Sequence, residues 1–219
     1  MKRFIVFLVI FATLVSFSGC KEENPYLNNV SELRQNVYLG SAEDYTVTAY
    51  FGYRENPFIN DGKCGNKVYG YTFKLNIIAD EIQRIIEFAE NEKTLSATFS
   101  CDEVTGEYKA FIETETYFEN SFSVNVVCGA ETTSVTLNSV LPENCISYTV
   151  VLDKLTDTQQ SLLNTYAKDG EFNAEIYMRV FVKNDKPYWY IGIAYGNDKI
   201  KAFLMDGFSG DLLAIRDIM

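Results

Sequence analysis

The chain has 219 residues, of which 47% are apolar, 15% aromatic and 22% charged, with 13 Gly and 4 Pro; this excludes a disordered tail, a collagen-like chain and a low-complexity linker. No His is present, so Ser-His-Asp and Cys-His catalysis, His-ligated zinc and imidazole switches are excluded. The formal charge of −11 argues against nucleic acid and anionic lipid heads as partners and is compatible with basic peptides, amines or divalent cations.

Lys2 and Arg3 precede an apolar run from Phe4 to Val15, followed by the small-residue stretch Ser16-Phe17-Ser18-Gly19-Cys20. A basic start, a dozen apolar residues and small residues before a break read as an export signal. The run is shorter than the roughly 20 residues that cross a bilayer, and Lys21-Glu22-Glu23-Asn24-Pro25 ends it abruptly. Phe17-Ser18-Gly19-Cys20 resembles the lipobox of bacterial lipoproteins, with Phe17 where Leu is usual. That resemblance implies that residues 1–19 are removed as a signal peptide and that a diacylglyceryl group on Cys20 anchors the chain to the extracytoplasmic face of the cell membrane. Residues 20–36, polar and carrying Asn24-Pro25 and Asn28-Asn29, read as the lipidated cysteine and a short tether.

From 37 to 153 the text is dense in strands. Tyr45, Val47, Ala49, Phe51 and Tyr53 share a face, as do Tyr69, Tyr71, Phe73, Leu75 and Ile77, and then Leu95, Ala97, Phe99 and Cys101. Further alternation follows at Tyr108/Ala110/Ile112, Phe122/Val124/Val126/Cys128, Val135/Leu137 and Ile146/Tyr148/Val150/Leu152. Period-two patterns of this kind predict strands with one buried face, and seven of them fit an antiparallel β-sandwich of immunoglobulin-like size. Ile78, Ile82, Ile85, Ile86 and Ala89 instead follow helical spacing, while Ile82, Ile86 and Phe88 also suit a strand; a short helix is favoured within 78–90, with strand as the open alternative. Cys64, Cys101, Cys128 and Cys145 form no C-x-x-C; the strand positions of Cys101 and Cys128 favour buried free thiols, while disulfides stay open as the alternative.

At Leu155 the texture changes. Thr156 with Gln159 forms a capping box, and Leu162, Leu163 and Tyr166 give the helix that follows an apolar stripe, with Lys168 and Gly170 at its end. Strands are expected at 173–183, 187–195, 199–206 and 211–216, so residues 154–219 read as a small α+β module of one helix and a four-stranded antiparallel sheet. Lys186-Pro187-Tyr188-Trp189-Tyr190-Ile191, with Ala202 to Leu213 containing Asp206-Gly207 and Gly210-Asp211, resembles PepSY-type domains, with Ser209 where Thr is usual. The resemblance implies a small extracytoplasmic module associated with restraint of proteases or with binding at the envelope. It implies no catalytic residue.

In this module Trp189, Ile191, Ile193, Ile176, Met178 and Val180 are expected under the helix, and Tyr177, Arg179, Phe181, Tyr188, Tyr190, Phe203 and Met205 on the opposite face. An aromatic face of this size must be covered, either by the sandwich or by an envelope protein or peptide bound through Tyr177, Arg179, Phe181, Tyr188, Tyr190 and Phe203. Arg54, in a Pro-bent connection, is expected to pair with a nearby acid, and Glu113, Glu115 and Glu119 to be a solvated strand face. No nucleotide-binding, nucleophile-elbow or calcium-loop motif is present, and no metal or cofactor is expected. The sequence therefore points to a lipid-anchored, non-enzymatic surface protein; a carboxylate-dependent hydrolase of wall polysaccharide or peptide is the alternative.

Overall fold

A computed structural model of the chain describes residues 23–57, 59, 61–77, 83–103, 105–196 and 199–218; Cys20 and the leader lie outside the described residues. The architecture is mainly β, a 13-stranded, largely antiparallel sheet with one α-helix among the described residues. In chain order the first strands are β1 (Val30–Ser41), β2 (Tyr45–Glu55) and β3 (Lys67–Ile77). Next come β4 (Arg84–Glu90), β5 (Lys93–Thr98), β6 (Ser100–Cys101), β7 (Tyr108–Glu113), β8 (Ser121–Cys128) and β9 (Glu131–Ser139).

Pairing runs from β1 through β2 and β3 to β7 in one direction, and through β9 and β8 to β4 and β5 in the other. Phe99 alone separates β5 from β6; β5 pairs with β4 and β6 with β7. The two arms meet there, and the sheet rolls into a nearly closed barrel. The pairing does not separate into the two facing sheets of a sandwich, because the 93–101 stretch changes neighbour midway. The interior is filled by rings: Phe118 stacks on Phe122 at 4.7 Å, and Tyr71 and Tyr38 lie 4.8 and 5.2 Å from Phe122. A barrel of about eight strands has room for little beyond its own side chains. Tyr38 donates its hydroxyl to the Phe118 carbonyl, and the Phe118 N–H donates to the Tyr71 hydroxyl at 3.0 Å. Burial pushes Tyr71 up to about 12, so both groups stay protonated and serve the network.

Strand β1 forks. β2 occupies one of its edges along its whole length. On the other edge, Val30–Arg34 pairs in parallel with β12 (Glu175–Lys183), while Tyr38 and Leu39 pair with β9. From β12 the sheet continues as an antiparallel meander through β13 (Lys186–Tyr195), β14 (Lys199–Asp206) and β15 (Leu212–Ile218). The β12–β13 turn is Asn184-Asp185, both at positive φ (51° and 60°), which suits the twist of a two-residue hairpin. Helix α1 (Tyr148–Leu163) buries Val151, Leu152, Leu155 and Leu163 in one core with Ile176, Met178, Trp189, Ile191, Phe203 and Met205. Trp189 donates its ring N–H to the Ile146 carbonyl at 3.1 Å. A two-residue hairpin, β10 (Ala167–Lys168) with β11 (Glu171–Phe172), follows the helix.

Several expectations are corrected. Residues 30–36, read as tether, form the first half of the central strand. Upstream, Asn24 is fastened to α1 by side-chain bonds to Asp153 and Thr156, both at 3.0 Å. The 146–152 alternation is not a strand: Ser147 caps α1 by accepting from the Val150 N–H at 3.4 Å, and the buried residue is Val151 rather than Val150. Thr156 is therefore inside the helix, its hydroxyl donating back to the Leu152 carbonyl at 2.8 Å. The boundary placed between 153 and 154 falls within this helix. Residues 84–90 are strand rather than helix, with Ile86 and Phe88 buried in the barrel and Asn91 turning at φ 56°; 78–82 lie outside the described residues. Cys64, Cys101, Cys128 and Cys145 are free thiols, and Cys101 is exposed rather than buried.

The fork is held by Asn36, 2% exposed. Its amide donates to the hydroxyls of Tyr38 and Tyr117, both at 3.0 Å, while its carbonyl accepts from the Val37 N–H at 2.7 Å and the Ser139 hydroxyl at 2.9 Å. Asn36→Ala strips a satisfied buried network and is expected to cost about 2 kcal/mol, or roughly 4–8 °C in Tm for a chain of this size, whereas the exposed Asn138→Ala is neutral. Thermal melts followed by the fluorescence of Trp189, the single Trp, check this. Iodoacetamide applied to the native chain is expected to label Cys101 first and Cys145 last, since burial pushes the Cys145 thiol up to about 11; peptide mapping over time reads the order.

Candidate functional site

The inner face of the sheet carries the barrel core and the core under α1, so alternate positions of β12, β1, β2, β3 and β7 share the outer face. Ladder register places Arg179 beside Arg34, Arg34 beside Gly52, and Gly52 beside Gly70. A Cβ on Gly52 would collide with the Leu33 carbonyl, and one on Gly70 with the Ile112 carbonyl. Glycine at both positions lets adjacent strands approach and leaves a bare floor. Over it opens a groove of about 760 Å³, lined by Glu32, Arg34, Tyr50, Arg54, Glu55, Thr72, Lys74, Glu107, Lys109, Phe111, Tyr177 and Arg179 among others.

Two ionic stations flank the floor. At one, Glu32 accepts from the Nε of Arg34 at 2.6 Å and of Arg179 at 3.0 Å. Burial raises its pKa, but the two guanidiniums outweigh that and hold it below the usual carboxylate range. At the other, Glu107 takes Lys74 at 2.8 Å and Lys109 at 2.9 Å, and these bonds lower its pKa. Lys109 also reaches Asp102 at 2.8 Å, and both acids raise its pKa. Between the stations lies the Tyr50 ring, with Arg34 at 5.1 Å and Lys74 at 5.8 Å from its centroid. Arg54 stacks on Phe111 at 3.9 Å; its partner is a ring, not the acid expected from the sequence.

Five cations (Arg34, Arg54, Lys74, Lys109, Arg179) face four carboxylates, Glu32, Glu55 and Glu107 in the lining and Asp102 on Lys109, an excess of one positive charge in a chain of formal charge −11. Such a patch suits acidic groups, which guanidinium forks grip through paired bonds.

At the groove's end lie two buried acids. Glu55 is 6% exposed and accepts from the Gly65 N–H; Glu175, at 0%, accepts from the Asp61 N–H at 3.2 Å. The second oxygen of each makes no hydrogen bond. Burial first, and then the charge of Glu55, push Glu175 above the usual carboxylate range, against the opposing pull of Ser31 and the backbone N–H groups of Asp61 and Gly62. Cys64 adjoins them, donating to the Val30 carbonyl at 3.3 Å; burial raises its pKa, and nearby Lys67 only partly offsets this. Among the described residues no cluster of three or more Cys, Asp or Glu could hold a metal ion, and no helix is long and apolar enough to cross a membrane.

Of the residues singled out in the sequence, Tyr177 and Arg179 line the groove. Phe181, further along β12, and Tyr188 and Tyr190 on β13 are half-buried on the same face, Phe181 stacked on Tyr188 at 5.5 Å. Phe203 is on the opposite face, 1% exposed, because it pairs with Ile191 and shares that residue's side; Met205 follows Trp189 in the same way. Phe203 is therefore core and no surface contact. Glu113, Glu115 and Glu119 are exposed, as expected. Sequence reasoning missed Glu32, Arg34, Lys74 and Lys109. Their signal is a charged outward position on each of several strands, and it points to one place only once the strand order is known. Comparison with family models, curated proteins and solved structures returns no match.

Glu175 sets a pH dependence. Below the ordinary carboxylate pKa both folded and unfolded chains hold the proton; as pH rises through it the unfolded chain ionises first, so stability is lost upward in pH until the folded group titrates too. Glu175→Gln keeps a neutral side chain of the same shape. It is expected to match the parent near pH 4 and to be more stable at pH 7.5, by roughly 1–3 kcal/mol on the scale of a buried unsatisfied group. Urea titrations at the two pH values decide; a gap of equal size at both would contradict the assignment.

Proposed function

We propose that this chain is a lipid-anchored, extracytoplasmic, non-enzymatic protein that holds an envelope protein or peptide against the outer face of its sheet. The observation that carries the reading is the groove: rings and under-neutralised cations gathered on one face of an acidic chain whose barrel interior is already filled by its own aromatics. In this reading residues 1–19 are a signal peptide and Cys20 carries the lipid, as the lipobox-like Phe17-Ser18-Gly19-Cys20 supports. Strands β1–β9 are the immunoglobulin-sized antiparallel body, and α1 with β12–β15 is the PepSY-like module with a regulatory role at the envelope, a reading that the order of one helix and a four-stranded meander supports. Tyr177 and Arg179 contact the partner, with Phe181, Tyr188 and Tyr190 extending the surface.

One observation favours the hydrolase alternative: Glu55 lines the groove beside Glu175, an acid whose pKa is raised. Glu175 itself is fully enclosed and does not line the groove, which weakens it as an acid for substrate. Turnover of wall polysaccharide or peptide, abolished by Glu55→Gln, would replace the binding reading.

Two measurements test the proposal. Cys20→Ala is expected to move the protein from the membrane fraction of the cell to the soluble extracytoplasmic fraction. A photo-crosslinking residue at position 177 is expected to capture a discrete envelope protein or peptide on intact cells, and the same probe at exposed Asn138 is not; equal capture at both positions would remove the groove as the contact surface.

A further inference from the structure

We infer that the groove's occupant is an acidic, extended polypeptide segment, whose carboxylates displace Glu32 and Glu107 as partners of the groove cations. This rests on the binding reading above and names the chemistry of that site. Glu32 is shared between Arg34 and Arg179, so that station keeps one positive charge in excess; at the other, Glu107 and Asp102 match Lys74 and Lys109. Arg54 is exposed, with its guanidinium 3.9 Å from the Phe111 ring centroid.

The spacing fits acids that recur on one face of an extended chain. Arg34 and Lys74 approach the Tyr50 ring at 5.1 and 5.8 Å, so the two stations are no more than about 11 Å apart across it. In an extended chain, side chains on one face recur at about 6.6 Å, so acids two to four residues apart reach both stations. The residues between them meet Tyr50 and the glycine floor. The groove lies on a sheet face, not on an edge, so the segment is held through side chains rather than through added ladder bonds.

The test uses the purified full chain in detergent with fluorescein-labelled poly-L-glutamate, poly-L-lysine and heparin, read by anisotropy at 50 and 300 mM NaCl. Poly-L-glutamate is expected to bind at 50 mM and to weaken at least tenfold at 300 mM, as screening of surface charges requires. Arg54→Glu and Lys74→Glu, both outside the core, are each expected to weaken it at least tenfold while circular dichroism and Tm stay unchanged. Failure of poly-L-glutamate to bind at 50 mM, tighter binding of heparin or poly-L-lysine, or indifference to both substitutions overturns the acidic-segment assignment. The wider reading falls separately, on absence of position-177 crosslinks in cells; crosslinks to a segment without acids keep that reading and overturn this one.

Discussion

Strand β1 serves three neighbours, and the molecule's shape follows from that. A strand has two edges, and β2 takes one of them completely. The other is divided: β12 has the first five residues and β9 has Tyr38 and Leu39. The barrel closes through the second half of β1, and the C-terminal sheet grows from the first half. Register shifts between Val30 and Glu32 and between Arg34 and Asn36 mark where the ladder adjusts. At such a change of partner the backbone and side-chain polar groups lose regular pairing, and a buried polar group without a partner is costly. Asn36 answers that demand with donors and acceptors on one short side chain. Leucine at that position would fill the volume and leave Tyr117, Ser139 and the Val37 N–H without their bonds.

The fork also makes the groove. Because β12 enters parallel to β1, Arg179 lands beside Arg34 with Glu32 between them, although 145 or more residues separate the arginine from its acid partner in the chain. Because β1 comes close to β2 at Gly52 and β7 to β3 at Gly70, the outer face dips there instead of carrying two side chains. The same geometry that places cations together thus supplies the space before them. The dip needs glycine for reasons of strand approach, which makes the floor a product of packing before it is a product of binding.

Much of the strand content was legible because period-two alternation survives wherever one face is buried: β2, β3, β7, β8 and the β12–β15 meander fall close to where the apolar phases put them. β1 was hidden by the features that make it central. Its bulges break the period, and its outward positions, Glu32 and Arg34, are charged, so Ser31 to Asn36 reads as a polar tether. The helix start was misplaced because Val150, Val151 and Leu152 satisfy either period, and a single hydroxyl at Ser147 decided between them. Phe203 and Met205 were assigned to the wrong face because alternation within β13 does not fix the phase of β14; the ladder, pairing Ile191 with Phe203, sets it.

Net charge was the poorest guide to the site. A formal −11 favours cationic partners if the charge is spread evenly. It is not spread evenly: five cations converge from five strands that are scattered between residues 34 and 179. The field a ligand meets is set by charges within about a Debye length, 8–10 Å at physiological salt, so the local excess governs contact while the remaining acids repel anything that approaches elsewhere. In the proposed reading, an acidic body with one under-neutralised face orients an acidic ligand by exclusion as well as attraction, and Glu32 and Glu107 are the internal ligands that hold the groove cations in its absence.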